Sequence, residues 1–166
     1  MTQDAYFEKL TQRHWHRRAI LGAGLSFLIA GPAIAVSKTA NVLFICQFGS
    51  VKSPTAREVF RQRAAARVIS VHAVSRGITP ESHLAPALKA QLASEGLDPE
   101  RDPLTRLQEK DLRRADIVVI LDKLPPKFKP KRLHDWTDLG SFNQSYATEG
   151  PRLVARIDQL LDELSS

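Results

Sequence analysis

Short runs of apolar residues alternate along the chain with stretches whose apolar residues recur at helical spacing. Residues 42–45 and 117–121 are apolar throughout, a pattern typical of strands that are buried on both faces. The β-branched run 68–75 and the short segment 132–136 are two further predicted strands. Because helical stretches separate the strands, the pattern predicts an α/β fold with a parallel sheet covered on both faces.

Four segments are predicted to be helical, and they comprise residues 54–67, 84–94, 105–114 and 151–164. Ser53 is the predicted N-cap of the first helix, with Pro54 at its first helical position. Gly96 is placed to end the second helix. Residues 123–131 are rich in proline and lysine and are predicted to be irregular, and residues 138–150 are predicted to be a polar loop.

Residues 1–35 have a different pattern, in which a basic stretch that contains Arg17 and Arg18 precedes an uncharged apolar segment. The apolar segment contains a small-x-small cleavage sequence that ends at Ala35. This order predicts an export signal, of the twin-arginine type, that is removed after Ala35. The protein is then expected in the periplasm, without a stable membrane span. The alternative is an uncleaved helix over residues 19–36 that anchors the protein in the inner membrane.

Composition sets broad limits on the chain, whose residues 36–166 are predicted to form the domain. A hydrophobic content of 43% and a charged content of 25% are ordinary for a globular protein, and the length suits one domain. The net charge of +6 comes from scattered basic residues with few aromatics, which favours an anionic substrate over a nucleic acid. The single cysteine excludes an internal disulfide, a cysteine-rich zinc site and a second thiol in this sequence. No metal or cofactor is expected.

Residues 41–53 hold the candidate chemistry. The first strand ends at Cys46, a short loop through Gly49 follows, and a helix is predicted to begin near Ser53. A helix N-terminus offers unpaired N–H groups and the positive end of the helix dipole, so it can hold a tetrahedral oxyanion and stabilise a thiolate. The alternative is that Cys46 is only a small buried apolar residue.

The same stretch resembles the active-site loop of the low-molecular-weight protein tyrosine phosphatases and the related arsenate reductases. That loop is a cysteine, five residues, an arginine and a serine, directly after the first strand. Here it is Cys46, five residues, Lys52 and Ser53. The resemblance extends through residues 72–77 and 104–122 and covers about residues 41–164. It implies a three-layer sandwich around a central four-stranded parallel sheet.

The resemblance also implies a reaction, the hydrolysis of phosphotyrosine or a small aryl phosphate through a phosphocysteine at Cys46. The partner is then a phosphorylated protein, a small aryl phosphate, or phosphate itself. Asp138 is the first choice for the acid that protonates the leaving oxygen, and Asp135 is the second. The implied phosphate-binding residues are those of the loop, Gln47, Phe48, Gly49, Ser50, Val51, Lys52 and Ser53.

The loop departs from the family pattern at three places. Lys52 replaces an arginine, which keeps the charge and loses the planar fork that grips two phosphate oxygens. Phe48 and Gly49 replace a Gly-Asn pair, and Val51 stands where many of these phosphatases have a second cysteine. Two alternatives to a phosphatase therefore stay open: a non-catalytic module that binds oxyanions, and an arsenate reductase that uses an external thiol.

Overall fold

The structure is a computed structural model, and it describes residues 39–166. The predicted export signal in residues 1–35 and the alternative anchor over residues 19–36 lie outside the described residues and stay predictions. None of the helices found within residues 39–166 is long and apolar enough to cross a membrane.

Four parallel strands form one sheet, with helices between them along the chain. The sheet has the order β2-β1-β3-β4. This arrangement confirms the predicted α/β class with a central four-stranded parallel sheet. In chain order the elements are β1 (Ala40–Cys46), α1 (Lys52–Ala66), β2 (Val71–Gly77), α2 (Pro86–Ser94), α3 (Glu109–Arg114), β3 (Ile117–Ile120), β4 (Leu133–Asp135) and α4 (Phe142–Ser165).

The two faces of the sheet carry two separate apolar clusters, which gives the three layers. Successive side chains of a strand point to opposite faces. Val42, Phe44 and Cys46 of β1 therefore belong to the larger cluster, which is shared with α1, α2 and α4. Leu43 and Ile45 belong to the smaller cluster beneath α3. Cys46 consequently points to the face on which α1 begins.

Helix α1 begins earlier than the sequence indicates. Its first residue is Lys52 and its N-cap is Val51, so the prediction that Ser53 caps the helix is wrong. The Ser53 hydroxyl is instead within 3.1 Å of the Cys46 sulfur, where it cannot cap the helix. Pro54 is the third helical residue and not the first, as predicted, but it lies in the first turn, where the missing N–H leaves no hydrogen bond unmade.

Helix α4 also begins before its predicted start at residue 151, so the predicted loop over 138–150 is wrong from residue 142 onwards. The helix runs from Phe142 to Ser165 and bends at Ser145, whose φ of −139° is not helical. Phe142 and Tyr146 are both buried and meet edge to face at 5.8 Å, which anchors the added turns to the core. Two smaller differences concern the predicted strand over 68–75 and the predicted helix over 105–114, which begin at Val71 and Glu109 respectively.

Candidate active site

Cys46 ends the central strand β1, and α1 begins six residues later. The intervening residues and the start of the helix, residues 46–53, are called the anion loop from here on. In parallel sheets of this kind, ligands bind beyond the carboxyl ends of the strands, which is where the anion loop lies. A cavity of about 440 Å³ opens at this place, and it is lined by Cys46, Gln47, Phe48, Val51, Lys52, His83, Asp122, Leu139, Gly140, Ser141, Phe142 and Asn143.

The carbonyl groups of the anion loop are held by the segment that follows β2. Three of them accept backbone hydrogen bonds of 2.9–3.1 Å, from Ile78 to Cys46, from Thr79 to Gln47 and from Glu81 to Phe48. These bonds fix the peptide planes of the loop. Among the described residues, none accepts a hydrogen bond from the N–H groups of Phe48, Ser50 or Val51. Those donors are available to an anion.

Two glycines allow the anion loop to approach β2 this closely. Gly49 has a φ of +71°, a conformation that favours glycine, and a Cβ there would lie 2.6 Å from the backbone nitrogen of Gly77. A Cβ on Gly77 would in turn lie 2.7 Å from the carbonyl oxygen of Phe48. Gly49 lies in the predicted loop, whereas the need for glycine at residue 77 could not be predicted, because the contact joins two separate segments.

The sulfur of Cys46 is surrounded by hydrogen-bond donors. The backbone N–H groups of Gly49 and Ser53 donate to it over 3.2 Å and 3.4 Å, and the Ser53 hydroxyl lies 3.1 Å away. Hydrogen bonds to a sulfur stabilise its charged form, the thiolate, which is the nucleophilic form of cysteine. Cys46 is also almost fully buried, with 3% of its surface exposed. The structure thus brings Cys46 and Ser53 together, and their predicted roles in catalysis and phosphate binding stay predictions.

Lys52 makes contacts that the sequence does not predict. Its ammonium group donates to the carbonyl oxygen of Leu121 at 2.6 Å, to Asp122 Oδ1 at 2.5 Å and to the carbonyl oxygen of Leu139 at 3.4 Å. An ammonium group has three N–H donors, so each has an oxygen of the protein as its acceptor. Lys52 therefore joins the anion loop to the end of β3 and to the segment before α4. Its predicted role as a phosphate ligand stays a prediction.

Asp122 is the charged side chain of this cavity that was not predicted from the sequence, and His83, Asn143 and residues 139–142 were not predicted to line it either. One carboxylate oxygen accepts from Lys52, and the other, Oδ2, accepts from the backbone N–H of Gln47 at 2.9 Å. A signal for it was present in the sequence, because Asp122 directly follows the apolar run 117–121. Strand β3 pairs with β1, so their carboxyl ends lie at one edge of the sheet, beside Cys46.

The two aspartates predicted as acids do not line the cavity that contains Cys46. The Asp138 carboxylate accepts from Arg156 at 2.6 Å and from Arg152 at 2.8 Å. The hydrogen bond from Arg156, together with the charges of both arginines, lowers the pKa of Asp138 and favours its ionised form. Asp135 Oδ1 accepts from the backbone N–H and the hydroxyl of Thr137, at 2.9 Å and 2.7 Å. The catalytic roles of both residues stay predictions.

An aromatic pair forms one wall of the cavity. The rings of Phe48 and His83 lie 4.1 Å apart between centroids, and Phe48 is 38% exposed. Asn143 holds this wall to the start of α4, since its amide donates to the carbonyl oxygen of His83 at 2.6 Å and accepts from the N–H of Ala85 at 3.1 Å. Within residues 39–166, no group of three or more histidine, cysteine or carboxylate side chains is arranged to hold a metal ion.

Comparison with protein families gives one match. The family model described as low molecular weight phosphotyrosine protein phosphatase matches residues 41–128, which include the anion loop and Asp122. No match was found among curated proteins.

Solved structures with the same fold carry different activities in their names. A low molecular weight protein tyrosine phosphatase from T. tengcongensis has a TM-score of 0.64 and 19% identity, covering 75% of this chain and 99% of that one. The YwlE arginine phosphatase of Bacillus subtilis has a TM-score of 0.66 and 15% identity, covering 76% and 96%. A thioredoxin-dependent arsenate reductase from Corynebacterium glutamicum has a TM-score of 0.60 and 21% identity, covering 78% and 64%. At these identities the likeness shows the fold and leaves the substrate open.

Proposed function

Because the chain belongs to the low molecular weight phosphotyrosine protein phosphatase family, we propose that it hydrolyses a phosphomonoester, either phosphotyrosine or a small aryl phosphate. The Cys46 thiolate attacks phosphorus, a P–S bond forms, and the bond from phosphorus to the leaving oxygen breaks. An acid protonates that oxygen, and Asp138 stays our first candidate for it. Water then attacks phosphorus and breaks the P–S bond, which releases phosphate and restores the thiolate.

One observation carries this proposal, namely the set of donors around the Cys46 sulfur. The N–H groups of Gly49 and Ser53 and the Ser53 hydroxyl stabilise the thiolate before attack. The same donors stabilise it as the leaving group when the phosphocysteine is hydrolysed. The wall made by Phe48 and His83 is an aromatic surface on which an aryl group of the substrate can pack.

The experiment is an assay of the purified chain on an aryl phosphate, with phosphate binding measured in parallel by calorimetry. We expect turnover by the parent protein. Cys46→Ser is expected to abolish turnover while phosphate still binds, because the backbone donors of the loop are unchanged. Asp138→Asn is expected to slow the reaction by about 10²–10⁴-fold, most strongly for poor leaving groups. An undiminished rate in this variant would move the acid role away from Asp138, with Asp135→Asn as the next variant.

The contacts of Lys52 favour a second candidate, a module that binds oxyanions without turning them over. All three donors of its ammonium group are used by protein oxygens, and the arginine fork of the family is missing. A parent protein that binds phosphate but hydrolyses no aryl phosphate would support this candidate against the phosphatase. An arsenate reductase would need an external thiol, because this sequence has one cysteine. Reduction of arsenate with a small thiol, in the absence of phosphatase activity, would support that third assignment.

A further inference from the structure

The basic side chain of the anion loop is already neutralised by a carboxylate of the protein. Lys52 and Asp122 form an ion pair of 2.5 Å, and their side chains are only 15% and 31% exposed. A pair of opposite charges that is shielded in this way interacts more strongly than a pair on the open surface. The charge that Lys52 brings to the loop is therefore largely cancelled before any anion arrives.

The carboxylate of Asp122 also uses one of the backbone donors of the loop. Its Oδ2 atom accepts from the N–H of Gln47, the residue directly after Cys46. Asp122 thus contacts the loop in the way that an oxygen of a bound anion would, through one backbone N–H and one ammonium group. An incoming dianion meets a negative charge at this edge of the cavity.

We propose that Asp122 is an internal counter-ion that lowers the affinity of the anion loop for oxyanions such as phosphate. A phosphoryl group that recruits Lys52 has to separate it from Asp122, and one that uses the N–H of Gln47 has to displace the carboxylate. The inference rests on the proposed anion binding by the loop and does not require turnover.

The identity of residue 52 is what makes Asp122 a competitor. An arginine has enough N–H donors, in a planar fork, to bind a carboxylate and a phosphoryl oxygen at the same time. The ammonium group of Lys52 has three donors, and these are distributed over Leu121, Asp122 and Leu139. A new oxygen ligand must therefore replace one of the existing acceptors. The contact with the carbonyl of Leu139, at 3.4 Å, is the longest of the three, and the contact with Asp122 is the one that carries opposing charge.

Calorimetry with inorganic phosphate on the full chain tests the proposal directly. Asp122→Asn keeps the shape of the side chain and removes its charge, so phosphate is expected to bind at least about tenfold more tightly than to the parent. Asp162→Asn is the matched control, because it removes the same charge from an exposed carboxylate that is paired with Arg67 on another surface. Its phosphate affinity is expected to equal that of the parent. Equal or weaker binding by Asp122→Asn would overturn the proposal.

The double variant Asp122→Asn/Lys52→Gln separates the two parts of the effect. If the single change releases Lys52 for the ligand, then removal of the ammonium group should abolish most of the gained affinity. A gain that persists without Lys52 would overturn the proposed competition for its ammonium group.

A crystal structure of the parent protein with phosphate gives an answer that does not depend on any variant folding. We expect phosphate at the backbone donors of the anion loop, with the Lys52 Nζ to Asp122 Oδ1 distance lengthened well beyond 2.5 Å. Phosphate bound there with the ion pair and the Gln47 contact intact would overturn the proposal. Since hydrolysis is measured separately, tighter phosphate binding by Asp122→Asn together with no turnover by the parent protein would support the counter-ion and reject the phosphatase. Turnover by the parent protein, together with an unchanged phosphate affinity in Asp122→Asn, would support the phosphatase and reject the counter-ion.

Discussion

Gly77 lies at the end of strand β2, and its replacement with alanine is expected to distort the neighbouring anion loop. The added Cβ would lie 2.7 Å from the carbonyl oxygen of Phe48, whereas ordinary contact begins at 3.4 Å, so a gap of 0.7 Å has to open. The end of β2 is held in place on its other side. The N–H of Gly77 donates to the carbonyl of Thr105 at 3.0 Å, and the carbonyl of Gly77 accepts from Leu107 at 2.8 Å. The displacement therefore falls mainly on the anion loop.

The size of the effect follows from this displacement. Inserting a methyl group into a closely packed region costs about 1–3 kcal/mol of unfolding free energy, which for a domain of this size lowers Tm by about 4–12 °C. Moving the Phe48 carbonyl also weakens its 3.1 Å hydrogen bond with Glu81, one of three that hold the loop. A misplacement of about 1 Å at a reacting group costs about 10²-fold in rate, so we expect a loss of tens- to a hundredfold for Gly77→Ala.

Thermal unfolding, the rate on an aryl phosphate and phosphate binding are the three measurements for this variant. Gly96→Ala is the control, because Gly96 has a φ of +75° and its added Cβ would meet only the Gln62 side chain, at 3.7 Å. That control is expected to lose about 1–2 kcal/mol of stability through the backbone conformation alone, with an unchanged rate. If Gly77→Ala keeps both the rate and the phosphate affinity of the parent, the added methyl group does not displace the anion loop and the prediction is refuted. A loss of stability alone would show that the strand moves and the loop does not.

Two further predictions concern stability. Asp158 of α4 pairs with Arg63 and Arg67 of the first helix and its end, and the hydrogen bond from Arg63 lowers the pKa of Asp158. Because the pKa of Asp158 is lower in the folded than in the unfolded state, its ionisation stabilises the fold at pH values above the unfolded pKa of about 3.9. This stabilisation is lost as the pH falls through the folded-state pKa. Asp158→Asn should therefore cost about 0.5–1 kcal/mol at pH 7 and progressively less below pH ~4 in thermal scans, and a cost independent of pH would contradict this. Arg57 is 1% exposed and pairs with the buried Glu58, so Arg57→Met should lower the free energy of unfolding in urea by about 3 kcal/mol. Arg61, which also pairs with Glu58, is more exposed, and a loss in Arg57→Met no larger than that in Arg61→Met would contradict this prediction.

The central part of the fold could be predicted because its cause is local in sequence. Strands β1 and β3 lie inside the sheet with both faces covered, so every residue from 42 to 45 and from 117 to 120 must be apolar. The start of α4 could not be predicted in this way. Its first turns combine the buried Phe142 and Tyr146 with polar residues and a bend at Ser145, which interrupts the helical period.

In the candidate site, too, contacts between residues that are close in sequence could be predicted, and contacts between distant segments could not. Cys46 and Ser53 are seven residues apart, and one strand, one loop and one helix start are enough to bring them together. Asp122 follows an apolar run, which places it at the end of a strand, but it reaches the same cavity because β3 pairs with β1, and the run alone does not indicate which strand is the neighbour. The direction taken by the long side chain of Lys52 likewise depends on acceptors that lie some 70 and 87 residues away in the chain.

The shape of the anion loop and its charge come mainly from different contacts in this protein, although Asp122 also accepts a hydrogen bond from the backbone N–H of Gln47. The shape depends on backbone hydrogen bonds from the segment after β2 and on the contact between Gly49 and Gly77, and Lys52 takes part in neither. The charge depends on Lys52 and on its partner Asp122. A lysine in place of the family's arginine can therefore leave the backbone donors in position while it changes how strongly an anion is held. For this reason, variants at Lys52 and Asp122 should change mainly the anion affinity, whereas Gly77→Ala, which displaces the backbone of the loop, should lower the rate at saturating substrate as well as the phosphate affinity. The two kinds of defect can be told apart by comparing phosphate binding with the rate at saturating substrate.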